Sequence, residues 1–165
     1  MPKYLPQRFQ PDSIQEFQKA AFQRFLDADA LNRCGRRSAA IYLYGYSAEM
    51  ILKSAYFQCQ GFSETQPISI HHLRSAIQSQ THSISTRMNL HHLGLWANAL
   101  VEFRISNPGL DYPDPAFGSL VRSKASAIYQ IWRETIRYHK NKAYHYELAK
   151  VKQEVEWMLV HADIL

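Results

Sequence analysis

The stretch AAIYLYGYSAEMILKSAYF, residues 39–57, decides how the chain folds. Ile41, Tyr44, Ala48, Ile51 and Ala55 recur every three or four positions, which sets them on one side of a helix. Tyr42, Tyr46, Glu49, Lys53 and Tyr56 repeat the same spacing on a second side. The helix is predicted from about Arg36 to Gln60, and Gly61 follows as a residue suited to a left-handed cap. Ala48 and Ala55, with Gly45 beside them, leave room for a neighbour to approach closely.

Working outward, the pattern remains helical. Ser13-Ile14-Gln15-Glu16 matches a capping box, in which the Ser and Glu side chains satisfy each other's free backbone N–H groups. Ile14, Phe17, Ala21, Phe25 and Ala28 then form an apolar face that runs to the break at 32–35. The polar region from Phe62 to Asn89 reads as loop, one short helix around His71 to Gln78, and loop. A helix from about Leu90 to Ser106 turns Leu93, Trp96, Leu100 and Phe103 inward and stops at Asn107-Pro108-Gly109. Asp114-Pro115 restarts the chain as an N-cap with proline at the first helical position. From there a helix is predicted to Lys140, with Phe117, Val121, Ala125, Ile128, Trp132 and Thr135 as its core side. The last helix, about Tyr144 to Ile164, uses Leu148, Val151, Val155, Met158 and Ala162. The expectation is an all-α, up-and-down bundle of about five helices in a single domain, with residues 1–11 as an N-terminal extension.

Composition agrees with a globular domain. Hydrophobic residues make up 46% and charged residues 20%, which is too apolar for disorder, and no apolar run approaches the roughly 20 residues a membrane span needs. The N-terminal residues lack an apolar signal region, and two cysteines without a CxxC are read as reduced thiols; the chain is expected in the cytoplasm. A net charge of +5 permits an anionic partner without requiring one. His71-His72 and His91-His92 are adjacent pairs, whereas helical metal ligands need i,i+3 or i,i+4 spacing, and neither HExxH nor a P-loop is present. No metal and no cofactor is expected.

Two faces carry candidate chemistry. Glu49 and Lys53 stand in the favourable i,i+4 order, worth about 0.2–0.5 kcal/mol if exposed. With Tyr42, Tyr46 and Tyr56 they form either a solvated pair flanked by packing tyrosines or a polar seam inside an interface or cleft. Arg122, Ser126, Tyr129, Arg133, Arg137 and Lys140 share a basic face, which is either plain solvated surface or a site for phosphates with Tyr129 as a stacking ring. A third arrangement pairs Glu49 with Arg133 or Arg137 across the bundle.

The 39–57 stretch resembles the signature helix of the HEPN family, with the Tyr-x-x-Glu step at Tyr46 and Glu49 and the Leu-Lys at Leu52 and Lys53. His71-His72-Leu73-Arg74-Ser75-Ala76-Ile77 is similar to the family's His-x-Leu segment, and Arg137-Tyr138 before a final amphipathic helix matches its Arg-Tyr pair. The resemblance implies a helical homodimer, commonly partnered with a small nucleotidyltransferase antitoxin in toxin–antitoxin or defence systems. One branch of the family consists of metal-independent RNases that use Arg-x4–6-His. This chain departs from that motif: Tyr138 follows Arg137, and the next histidine beyond His139 is His145, separated from Arg137 by seven intervening residues. Arg133 with His139, and Arg87 with His92, do have the spacing; the former lies in the corresponding region.

The leading expectation is therefore a non-enzymatic, HEPN-like interaction protein that binds a partner protein or RNA through Tyr46, Glu49, Lys53, Tyr129, Arg137, Tyr138 and Lys140. Its rival is a metal-independent endoribonuclease using Arg133 and His139. A weaker third reading is a small-ligand or nucleotide site between the Tyr46/Glu49 and Arg137 faces.

Overall fold

The computed structural model describes residues 4, 9–78, 89–107, 109–110 and 114–165. Arg87, one half of the Arg87–His92 spacing, lies outside the described residues. Among the described residues six α-helices run in the order α1 (Ile14–Arg33), α2 (Arg37–Cys59), α3 (Ile70–Gln78), α4 (Leu93–Ser106), α5 (Pro115–Ile131) and α6 (His145–Val160). A 3-10 helix, Glu134–Tyr138, lies between α5 and α6, and no strand occurs among the described residues. The expected all-α bundle is present, and no described helix is long and apolar enough to cross a membrane.

Local chemistry sets most of the helix ends. Ser13 Oγ accepts the Glu16 N–H at 3.2 Å, but the Glu16 carboxylate pairs with Lys19 at 3.0 Å, so only half of the capping box forms. Gly35, at φ 71°, makes the tight turn from α1 into α2, and Gly61, at φ 80°, follows the end of α2. Asp114 caps α5 by accepting the Ala116 N–H at 2.9 Å.

α2 is the central element, with fifteen of its 23 residues buried beneath α1, α4, α6 and the 3-10 helix. The predicted face Ile41, Tyr44, Ala48, Ile51 and Ala55 is buried, and so are Ser47, Glu49, Leu52, Lys53 and Tyr56 from the other sides. The buried polar side chains of α2 are paired, as burial demands. The Tyr44 hydroxyl bonds Asp29, whose carboxylate also receives Lys152 at 2.7 Å, tying α1, α2 and α6 together. Ser47 Oγ donates to Ala21 O at 2.8 Å. On α6, buried Glu154 receives Lys150 and, at 2.6 Å, Lys124 from α5.

The predicted helix to Lys140 is corrected by the structure. α5 stops at Ile131, and Trp132 and Arg133 are extended at ψ 138° and 149°. Trp132 is fully buried over Gly45: a Cβ added there would meet the indole at 2.2 Å. Its Nε1–H donates to Tyr42 O at 3.0 Å. Seating the ring in this slot on α2 takes the chain out of the helix, and Thr135, predicted as core, is exposed.

Candidate nucleic-acid interface

The polar side of α2 and the segment after α5 do meet, and the 3-10 helix packs directly on α2. Glu49, 3% exposed, is ion-paired with Lys53, 7% exposed, so the solvated-pair reading does not hold. Its second partner is His91, whose Nδ1 lies 3.0 Å from Oε2 and 3.2 Å from Oε1. Glu49 therefore pairs with neither Arg133 nor Arg137. The hydrogen bond to Glu49 holds the half-exposed His91 imidazole above its ordinary range, against the opposing pull of burial. Tyr46 packs edge-on against His91 at 5.7 Å and Trp132 at 5.4 Å, and Tyr42 packs against Tyr46 at 4.9 Å. Burial, reinforced by the hydrogen bond with Tyr42, pushes the Tyr46 phenol up, so it remains a neutral hydroxyl.

Beside this seam, Tyr129 carries the Arg133 guanidinium at 3.7 Å from its ring centre and the His92 ring at 4.0 Å. Arg133 also donates to Trp132 O at 2.7 Å. Asn89 reaches Tyr129 Oη at 3.4 Å and Glu134 at 3.3 Å. Burial, followed by the nearby Arg133 charge, lowers the His92 imidazole. Arg122 belongs elsewhere: it pairs with Glu102 and donates to Asn98 at 3.1 Å on α4.

Residues 137–146, RYHKNKAYHY, form an outer strip with three cations, two histidines, three tyrosines and no carboxylate. Tyr138, Tyr144 and Tyr146 are 72%, 64% and 68% exposed, and the last two stack at 5.6 Å. Arg137 lies over Tyr138 at 4.7 Å, and hydrogen bonds with Tyr42 and then Tyr138 raise its already high pKa. The strip is pinned to the start of α2. Asn141 Oδ1 accepts the Ser38 N–H at 2.9 Å, and Asn141 Nδ2 donates to Gly35 O at 3.0 Å. Ser38 Oγ accepts the Lys142 and Ala143 N–H groups at 3.0 and 3.1 Å, while Arg37 Nε donates to Ala143 O at 2.7 Å. Arg36, the N-cap residue of α2, makes no capping bond of its own, so Asn141 serves as a cap supplied from the far end of the chain.

Of the predicted residues, Tyr46, Glu49, Lys53 and Tyr129 belong to the inner seam, while Arg137, Tyr138, His139 and Lys140 belong to the outer strip. Arg133 turns to Tyr129, whereas His139 lines the cleft on the Ser38 and Ile136 side. The sequence reading missed His91, taken there only as half of an adjacent histidine pair, and missed Asn141 and Ser38. The acid-free run 137–146 was the visible signal for the strip. Among the described residues no three His, Cys, Asp or Glu side chains are grouped to hold a metal ion. No protein-family model matches the chain, and neither the curated proteins nor the solved structures contain a significant match to it.

Proposed function

We propose that this chain is a HEPN-like, non-enzymatic helical protein that binds single-stranded RNA along residues 137–146. The strip itself carries the reading: three cations to follow phosphates and three exposed phenol rings to stack on bases, with the one carboxylate of the adjoining cleft, Glu147, engaged by the Tyr144 N–H at 2.7 Å. Its backbone is fixed in advance by Asn141 and Ser38, which lowers the ordering cost of binding. The inner seam backs this surface, with Arg137 bridging to Tyr42. A homodimer, a nucleotidyltransferase antitoxin partner and a role in a toxin–antitoxin or defence system, all implied by the family resemblance, belong to the same proposal.

The test is fluorescence anisotropy of a short internally labelled RNA at several salt concentrations, in EDTA. Saturable binding is expected, and Lys140→Ala with Lys142→Ala should flatten the slope of log K against log salt by about 1.4, at roughly 0.7 per lost phosphate contact. Absence of binding at low salt, or a slope untouched by the double substitution, refutes the reading. The enzymatic rival, RNA cleavage by Arg133 and His139, draws support from the exposure of His139 on the same strip. It requires cleavage in EDTA that His139→Ala abolishes.

A further inference from the structure

A second, smaller cavity of about 240 Å³ opens next to the strip, lined by Arg36, Tyr42, Arg137 and His139 and floored by Ser38 and Asn141. Among the described residues no carboxylate lines it. It adjoins a larger cleft of about 630 Å³, and the two share Ser38, Ile136 and His139. The larger cleft is lined by Tyr138, Lys140, Lys142 and Tyr144 of the strip, together with the Glu147 carboxylate that caps the Tyr144 N–H. A strand lying along those groups would therefore end in, or pass over, the smaller cavity.

We propose that this smaller cavity holds the terminal phosphomonoester of the bound strand. The inference rests on the RNA-binding reading and names its substrate class: RNA bearing a phosphorylated end. A monoester carries about −1.5 to −2 charge at neutral pH, against −1 for an internal diester, and so matches two guanidiniums better than the backbone does. Arg36 and Arg137 reach the cavity from different elements, the start of α2 and the 3-10 helix, so that an oxyanion between them is held from two sides. Arg137 is already steadied by Tyr42 and Tyr138. The backbone N–H groups of Arg37 and Ala39, in the first turn of α2, have no hydrogen-bond partner among the described residues, and they add positive potential at this end of the cavity. No bond is made or broken; the role is recognition.

Calorimetric titration with unlabelled eight-nucleotide RNAs of one sequence, carrying a 5′-phosphate, a 3′-phosphate or hydroxyls at both ends, tests the assignment. One phosphorylated strand is expected to bind at least about tenfold more tightly than the hydroxyl strand, and its identity gives the polarity. Arg36→Ala should reduce that preference to about onefold while binding of the hydroxyl strand persists, whereas Arg137→Ala, which also removes a cation of the strip, should weaken all three strands and bring them to about equal affinity. Circular dichroism verifies that each variant is folded. Equal affinity for all three strands, or a preference that survives both substitutions, overturns the terminal-phosphate site while leaving RNA binding intact. If no strand binds, the RNA reading itself fails, and the cavity is then judged with inorganic phosphate. A saturable shift of the His139 ring resonances that Arg36→Ala removes supports an anion site, and no shift at tens of millimolar phosphate eliminates it.

Discussion

Replacing Gly45 with alanine tests the contact that positions the candidate interface. The added methyl would stand 2.2 Å from three atoms of the Trp132 indole, whereas carbon atoms rest at about 3.5 Å or more. The ring must therefore withdraw from α2 by roughly 1.3 Å, because the fully buried slot leaves the methyl no other space. Tyr42 is also on α2, so the same withdrawal breaks the 3.0 Å bond from the indole N–H to Tyr42 O. Overpacking of this kind costs about 1–3 kcal/mol, and the lost hydrogen bond adds about 1 kcal/mol, for a total of about 2–4 kcal/mol. Urea unfolding followed by circular dichroism should show a lower midpoint for Gly45→Ala with an unchanged m-value. The double variant Gly45→Ala/Trp132→Leu should lose at least about 1 kcal/mol less than the sum of the two single changes, since removing the ring removes the clash. An unchanged midpoint for Gly45→Ala, or a strictly additive cycle, would refute the view that the glycine exists to seat this ring.

Three further outcomes follow from the seam and the strip. Glu49→Ala leaves the Lys53 ammonium buried without its carboxylate and should cost about 3–5 kcal/mol, whereas Glu49→Leu/Lys53→Met should cost much less; equal losses in urea denaturation would contradict the buried pair. NMR titration should place the His91 imidazole above its usual range, and Glu49→Gln should return it toward that range. Because the folded-state pKa is the raised one, the pair's contribution to stability is complete below the unfolded imidazole pKa and fades as pH rises through the folded value. The half-exposed ring keeps that contribution small, and a His91 titration unaffected by Glu49→Gln would count against the contact. Asn141→Ala removes a cap from α2 and should destabilise by about 0.5–2 kcal/mol while weakening RNA binding through a loosened strip; full retention of both stability and affinity would show that the pinning is idle.

Periodicity alone located the helices, because apolar spacing of three and four residues is a local property that packing then uses. Ser13, Asp114, Gly35 and Gly61 mark boundaries for equally local reasons: side-chain oxygens that cap, and a residue without Cβ where φ is positive. The extension of α5 to Lys140 failed where a non-local contact outweighed local spacing. Arg133, Arg137 and Lys140 continue a helical pattern on paper, but the slot above Gly45 draws Trp132 in and ends the helix at Ile131. In the same way, the i,i+4 order of Glu49 and Lys53 announced an ion pair but not its burial, which depends on α4, the 3-10 helix and His91 closing over α2.

The amino-acid sequence by itself determined the helical class, the two-sided pattern of residues 39–57 and the basic residues ahead of the last helix. Only the tertiary structure decided that this run is fastened to the start of α2, more than a hundred residues earlier, by Asn141, Ser38 and Arg37. It alone decided that Glu49 takes His91 in place of an arginine. The physical reason is common to both. A hydrogen-bond partner is chosen by proximity after packing, and the spacing of residues along a chain carries almost no information about which distant group packing will bring within 3 Å.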